Sequence, residues 1–381
     1  MHDGPVVVFS GGGTGGHLYP ALAVADALRL RRPDVRVLFV GSRRGIEGRI
    51  LTERGEWHAL LPVRGLDRSS LVRSLAGVGG SLLSIGRAVR LFAEIRPEVV
   101  VVTGGYASAP AGIAAAFKGI PVVLQEQNAI PGLVTKMLSR VAKTIHVAFP
   151  EAIDRLPAGR ERARVTGNPV RPAATLGRAR ARERLGVPEG TTVLLVVGGS
   201  QGSLALNRAL LDAVRAATID PALRPEGLHV VWATGPAHHG SIVAELDTLD
   251  GAAAWVSTRA YIEEMPVALA AADLALARAG ATFTAELLVQ GLPAALVPLP
   301  TAAEDHQTLN AEALVAAGAA VLLPQAELDA QTLWRSLHEL VGTPDRLARM
   351  SEAALALARP GAADEIAGSI VEMLPPAVEA A

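Results

Sequence analysis

A strand, a glycine-rich loop and the start of a helix stand near the front of this 381-residue chain, and a near-copy stands at its middle. The first reads VVVFSGGGTGGHLYPALAVADAL, from Val6 to Leu28; the second reads VLLVVGGSQGSLALNRALL, from Val193 to Leu211. Gly12 and Gly198 are 186 residues apart, about half the chain. Two such units predict two similar α/β domains facing one cleft. That arrangement suits an enzyme that brings a nucleotide-linked donor to a separate acceptor.

Strands alternate with amphipathic helices throughout, which predicts parallel sheets with crossover helices. The first-half strands are Val6–Ser10, Val35–Val40, Trp57–Leu61, Val99–Thr103, Pro121–Gln125 and Thr144–Val147. Those of the second half are Thr192–Val197, His229–Thr234, Ala253–Val256, Leu274–Ala277, Ala294–Pro298 and Ala320–Leu323. A second echo supports duplication: Glu98–Gln127 and Asp273–Pro300 each read strand, small-residue loop, helix, Gly-apolar-Pro, strand. The seam is expected near Arg164–Ala174, where Gly and two prolines interrupt periodicity. Residues 1–165 then form one domain and 166–359 the other, with a C-terminal helix from about 360 packing back on the first.

Composition narrows the chemistry. Cysteine is absent, which excludes disulfides, thiolate metal sites and a cysteine nucleophile. No signal pattern opens the chain, and about 18 apolar residues never run unbroken. Residues 1–165 hold 22 Lys and Arg against 13 Asp and Glu, a balance of +9; residues 166–381 hold 14 against 24, a balance of −10. A basic first half suits a phosphate-bearing or membrane-bound partner, the alternative being chance surface composition.

Gly11, Gly13 and Gly16 satisfy G-x-G-x-x-G, whose free amides at a helix N-terminus bind anions. A dinucleotide site would place an acid at the end of the second strand, but Phe39–Gly45 reads FVGSRRG. Arg43 and Arg44 suit a 2′-phosphate, so an NADP-dependent oxidoreductase stays open. His17, in the helix's first turn, is kept neutral by the macrodipole, as a base must be; the alternative is a histidine that only holds a loop carbonyl. The TGGY loop (Thr103–Tyr106) and the QEQN cluster (Gln125–Asn128) also follow strands and converge on the same strand ends. In the second half, Gly280-Ala281-Thr282 opens a helix and presents amides to a diphosphate. Glu286, about one turn on, suits the vicinal hydroxyls of a ribose. His306, Gln307 and Asn310 offer neutral groups for sugar hydroxyls. No metal cage, Walker loop or G-x-S-x-G elbow is present.

Seven motifs in order, GGTGGHLYPALAVA, TGGYASAPAG, QEQNAIPGL, GNPVR, VGGSQGS, RAGATFTAE and DHQTLNA, resemble the MurG family of undecaprenyldiphospho-muramoylpentapeptide β-N-acetylglucosaminyltransferases over nearly the whole length. The resemblance implies two Rossmann-like domains around a deep cleft, the GT-B type. It implies inverting transfer of N-acetylglucosamine from UDP-GlcNAc to the 4-hydroxyl of lipid I. It places Ser200 and Gln201 at the donor diphosphate, Ile262 at uracil, Glu286 at ribose, Ala281 and Thr282 at the phosphates, and His306 and Gln307 at the sugar. Arg171 falls near the donor. Thr14, His17, Tyr106, Glu126 and Asn128 fall on the acceptor side, with Thr14, Gly15 and Asn128 also counted among the donor contacts. His17 is the expected base. Phe283 replaces the family's usual small hydroxyl residue and Thr135 its usual Asn. The expected partners are UDP-GlcNAc, lipid I, an anionic inner-membrane surface and cell-wall synthesis proteins, without nucleic acid. No cofactor is expected, beyond a divalent cation shielding diphosphates.

The implied location is peripheral, on the cytoplasmic face of the bacterial cell membrane. Leu71, Leu75, Val78, Leu82, Ile85, Val89 and Phe92 form one helical stripe with Arg68, Arg73, Arg87 and Arg90 nearby. It reads as a docking face or as core, and Gly77, Gly79 and Gly80 are expected to split it into two short helices. The competing readings are another UDP-sugar enzyme of this fold, such as a glycosyltransferase or UDP-GlcNAc epimerase, and a nucleotide-binding module without chemistry.

Overall fold

The computed structural model describes residues 4–43, 45–63, 71–171, 173–174, 176–249 and 251–377. The chain divides into two units, Met1–Arg171 with Arg359–Ala381, and Pro172–Ala358.

The first unit holds β1 (Val6–Ser10), β2 (Arg36–Ser42), β3 (His58–Leu61), β4 (Val99–Val102), β5 (Val122–Glu126), β6 (Thr144–Val147) and β7 (Ala163–Val165). They pair in parallel in the order β3-β2-β1-β4-β5-β6-β7. Alternate side chains go to opposite faces. Val7, Phe9, Val37, Phe39, Val99 and Val101 pack with Leu18, Leu22 and Ala25 of the helix Gly15–Arg31. Val8, Val40, Val100 and Val102 pack with Ala88, Phe92, Ala111 and Ala114 from the helices Leu71–Ile95 and Ala109–Phe117. Cover on both faces is why these strands read as unbroken apolar runs. The last helix, Ala362–Val371, adds Ile366, Ala367 and Ile370 to the first face, and Arg31 grips Asp364 through two 2.5 Å bonds.

The second unit repeats the plan with β8 (Thr192–Val197), β9 (Leu228–Ala233), β10 (Val256–Arg259), β11 (Leu274–Ala277), β12 (Ala294–Leu296) and β13 (Ala320–Leu322). The order is β10-β9-β8-β11-β12-β13, again parallel. Leu194, Val196, Val230 and Trp232 pack with Leu210, Val214, Trp334 and Leu337. In each sheet the direction of strand addition reverses beside the first strand, between β1 and β4 and between β8 and β11. Ligands in such sheets bind beyond the carboxyl ends at this switch point.

Three expectations need correction. Gly77, Gly79 and Gly80 do not split the helix, which runs unbroken over Leu71–Ile95. Glycine costs about 1 kcal/mol in a helix but does not forbid helical angles, and the Ala88 and Phe92 end is anchored in the core. The stripe is not one face of one kind either. Phe92 is core, Ile85 and Val89 are half-buried, and Leu82 and Leu83 are 64% and 69% exposed. The side chains of Leu71, Arg73, Leu75 and Val78, and Arg68 and Arg44 altogether, lie outside the described residues. Finally, the strand expected at Ala253–Val256 is β10 at Val256–Arg259, because the alanine run Ala252–Ala254 turns as a short 3₁₀ helix. Among the described residues no helix is long and apolar enough to cross a membrane.

Candidate functional site

In the first unit the switch point gathers three loops. The glycine loop leaves β1 and runs into the helix that carries His17 in its first turn. The TGGY loop leaves β4, where Gly105 takes φ +76°; a Cβ there would stand 2.2 Å from Gly12 O and 2.9 Å from His17 Cδ2. Glycine is therefore what lets the two loops touch. Tyr106, partly exposed, lies over Gly13, where a Cβ would come within 2.9 Å of its ring.

His17 is held from behind. Its Nδ1 stands 3.1 Å from Thr103 O and 3.1 Å from Gln127 Oε1. Two acceptors at one nitrogen place the proton there and make Nε2 the basic nitrogen. Gln127 is oriented in turn: its Nε2 donates to Thr103 O at 2.6 Å and to Gln125 Oε1 at 2.5 Å. Gln125 donates to Asn168 Oδ1 at 3.1 Å, and Asn168 donates to Gln127 O at 3.1 Å. All three amides are buried. The QEQN cluster and the GNPVR motif thus form one rigid support. Arg171 of that motif stacks on Tyr19, 4.8 Å from the ring centre.

Glu126, expected on the acceptor side, is engaged within the segment that follows it. Its Oε1 accepts from Asn128 N and Nδ2 at 3.1 and 3.3 Å, and its Oε2 from Gly132 N at 2.9 Å and Thr135 Oγ1 at 2.6 Å. Both oxygens are engaged in its own loop and the side chain is buried, so it shapes the loop that presents Asn128. Thr135, where Asn is usual in the resembled family, supplies one of those donors.

Glu47 was not anticipated. No carboxylate occurs in Phe39–Gly45, yet one from the next helix folds back beneath the glycine loop, wholly buried. Its Oε1 accepts from Gly13 N at 2.6 Å and Ser42 N at 3.4 Å, while its Oε2 has no hydrogen-bond partner among the described residues. A Cβ at Gly12 would stand 1.6 Å from Oε1, and one at Gly45 1.6 Å from Oε2. The Gly13 amide is therefore capped by the protein itself.

The second glycine loop is open by contrast, with Ser200 and Gln201 exposed. Ser203 caps the helix Leu204–Ile219, its Oγ accepting from Leu206 N at 3.4 Å and from Arg278 Nη2 at 2.8 Å. Across the switch point Gly280 precedes the helix Ala281–Gln290, whose first turn holds Ala281 and Thr282. Glu286 on that helix is 7% exposed, so it is no solvated surface glutamate. Phe283 is half-buried, and Ile262, beyond β10, is buried. After β12, Leu299 N donates to Gln307 Oε1 at 3.0 Å, and His306 Nδ1 stands 2.8 Å from Ala303 O. Asn310 is buried, its Nδ2 donating to Ala279 O at 3.3 Å.

The sequence model of the glycosyltransferase family 28 N-terminal domain matches residues 7–147, and that of the C-terminal domain matches residues 193–366. The chain belongs to glycosyltransferase family 28. The first match spans β1 to β6 and the second spans β8 to β13, so each family 28 domain brings its own switch point. The chain is similar to the UDP-N-acetylglucosamine--N-acetylmuramyl-(pentapeptide) pyrophosphoryl-undecaprenol N-acetylglucosamine transferase of Salinibacter ruber, with 44% identity over 372 residues and 97% of each chain covered. It is 41% identical to the protein of the same name from Desulforudis audaxviator, covering 97% of this chain and 98% of the other. Among solved structures it is similar to MurG of Acinetobacter baumannii, with a TM-score of 0.73, 29% identity, and 97% and 99% of the two chains covered.

Proposed function

We propose that this family 28 protein transfers N-acetylglucosamine from UDP-GlcNAc to the 4-hydroxyl of N-acetylmuramyl-pentapeptide diphosphoryl-undecaprenol (lipid I), giving lipid II and UDP in peptidoglycan synthesis. One observation carries the reading: 44% identity, over 97% of both chains, to a relative named for this transfer. In the second unit, the Ser200–Gln201 loop and the amides of Ala281 and Thr282 receive the diphosphate. Glu286 accepts from the ribose hydroxyls, and the backbone of Ile262 meets uracil. With its side-chain oxygen committed to Leu299 N, Gln307 turns its amide NH₂ to the sugar beside His306. In the first unit, His17 takes the proton from the acceptor hydroxyl as that oxygen attacks the anomeric carbon in line, inverting it. Thr14, Gly15, Tyr106 and Asn128 line the acceptor side, and Arg171 offsets charge growing on the leaving UDP.

Turnover of UDP-GlcNAc with a short-chain lipid I analogue tests this directly; absence of lipid II formation would sink it. Nucleotide choice gives a second readout. UDP at about 100 times its Kd adds about 2.7 kcal/mol to the unit that binds it, so UDP raises the melting temperature and NADPH does not. Stabilisation by NADPH and none by UDP reverses the assignment.

The lipid acceptor implies a membrane-facing first unit. Leu82 and Leu83 are exposed near Arg87 and Arg90 on the same helix, which packs against the helix ending at the exposed Phe117. Basic residues beside an anionic surface contribute about 1 kcal/mol each, screened by salt. Binding to phosphatidylglycerol vesicles should weaken with salt and fall in the Leu82→Ser, Leu83→Ser double variant, with UDP binding unchanged. Unaltered vesicle binding in that variant places the contact elsewhere.

A further inference from the structure

We propose that Arg278 is a fixed, uncompensated cation that makes the second unit prefer a nucleoside diphosphate over the bare nucleoside. The inference rests on the reading of that unit as the nucleotide side. Arg278 follows β11 directly and is 8% exposed. Its Nη1 donates to Val297 O at 3.1 Å and Pro298 O at 3.0 Å, just past β12. Its Nη2 donates to Ser203 Oγ at 2.8 Å and Gln325 Oε1 at 2.6 Å. All four acceptors are neutral.

The contrast with Arg32 is informative. Arg32 is comparably buried, and Asp34 meets it with two bonds of 2.9 and 2.8 Å. Among the described residues no carboxylate comes within ion-pair distance of Arg278. Burial alone pushes its pKa down, with no acidic neighbour opposing, yet a guanidinium stays charged at any physiological pH. A buried charge without a counter-charge is costly, and neutral hydrogen bonds solvate it without cancelling its field.

That field emerges at a defined place. Arg278 is one hydroxyl away from the Gly198–Ser203 loop, because Ser203 Oγ takes both the Arg278 donor and the Leu206 amide. Along the backbone it stands two residues before Gly280, which precedes the helix Ala281–Gln290. The two amide-rich helix starts at the β8/β11 switch point therefore share one buried cation. Both terminal nitrogens of the guanidinium are taken by protein acceptors, so it acts on phosphates chiefly through its field and positions the loop through Ser203. A neutral nucleoside gains nothing from it; a diphosphate does. At an effective dielectric of about 20 and a separation of about 7 Å, the expected contribution is about tenfold or more in affinity.

The test is binding of UDP and of uridine to the full chain, by calorimetry and ligand-observed NMR. Arg278→Gln should weaken UDP about tenfold or more and leave uridine within about twofold. Arg278→Lys keeps the charge but not the four bonds, and should retain most of the UDP-to-uridine preference. Equal weakening of UDP and uridine by Arg278→Gln would mean that the guanidinium is only a structural tie. Should the Gln variant fail to fold, loss of the preference in the Lys variant overturns the proposal and its retention supports it. Failure of the wild-type chain to bind UDP at all overturns the nucleotide reading beneath it, a result distinct from either.

Discussion

His17→Ala is expected to lower kcat by about 10²- to 10⁴-fold and to leave UDP affinity unchanged. The expectation comes from how the imidazole is held. Thr103 O and Gln127 Oε1 both lie 3.1 Å from Nδ1, which fixes the proton there and leaves Nε2 as the basic nitrogen. The ring sits in the first turn of the helix Gly15–Arg31. Behind it the Gln127–Gln125–Asn168 amides permit little reorientation. A side chain so constrained loses transition-state stabilisation when removed, while the loops proposed for the nucleotide belong to the other unit. Steady-state kinetics with varied acceptor and varied donor separates the roles. Intact kcat with only the acceptor KM raised would make His17 a binding residue.

The parts of the fold legible in the sequence were those where burial dominates. β8 and β11 end where their apolar runs end, because strands covered on both faces must be largely apolar. The repeat of strand, glycine loop and helix corresponds to the two switch points. The misjudged strands are both at sheet edges. β7 is Ala-Arg-Val, half-buried to exposed, and β10 carries Ser, Thr and Arg. An edge strand is half-solvated and need not be apolar, so hydrophobic pattern misses those that are polar, as it missed these two, while the more apolar edges β3 and β13 were legible. The glycines in Leu71–Ile95 misled in the opposite sense, since a weak local preference lost to anchoring of the rest of the helix in the core.

Within the site, loops that follow strands were legible, because strand ends converge whatever the loops contain. The residues beneath them were not. Glu47 reads as an ordinary first-turn helix glutamate, and only the fold turns it under Gly12 and Gly13. Arg278 interrupts the run ALARAG by one residue, which resembles a strand end; its separation from every carboxylate among the described residues is a three-dimensional fact. Both distinguish the twin loops that sequence alone made look equivalent. One amide is capped by a protein carboxylate, and the other loop is backed by a protein cation.

Acidification from pH 6.5 to 4 should cost the first unit about 3 kcal/mol through His146 alone. His146 lies on β6, fully buried, with Nε2 2.9 Å from Ser369 Oγ on the last helix. Ser369 donates its own hydrogen to Ile366 O at 2.8 Å, so its oxygen accepts from Nε2–H. Among the described residues Nδ1 is buried without a hydrogen-bond partner, and a proton arriving there finds no acceptor among them. Burial, and then the charge of Arg164 on the neighbouring strand, push the His146 pKa down to about 4. The unfolded chain takes up this proton near pH 6.5 and the native chain near pH 4. Between those values the unfolded state binds more protons, so stability falls as pH falls, by about 1.4 kcal/mol per unit, and the loss levels off below the native pKa. Above pH 6.5 both states are neutral and the group contributes no slope. His229, lowered chiefly by burial and further by Arg224, acts in the same direction in the second unit. A paired variant is therefore needed to isolate His146. Urea denaturation of the wild-type chain and of His146→Leu at pH 7, 5.5 and 4.5 supplies the difference. Leucine fills much of the ring's volume, spares the Ser369 bond to Ile366 O and removes the titration. The wild type should lose more stability than the variant over this range; parallel losses would show that the native state accommodates the protonated ring.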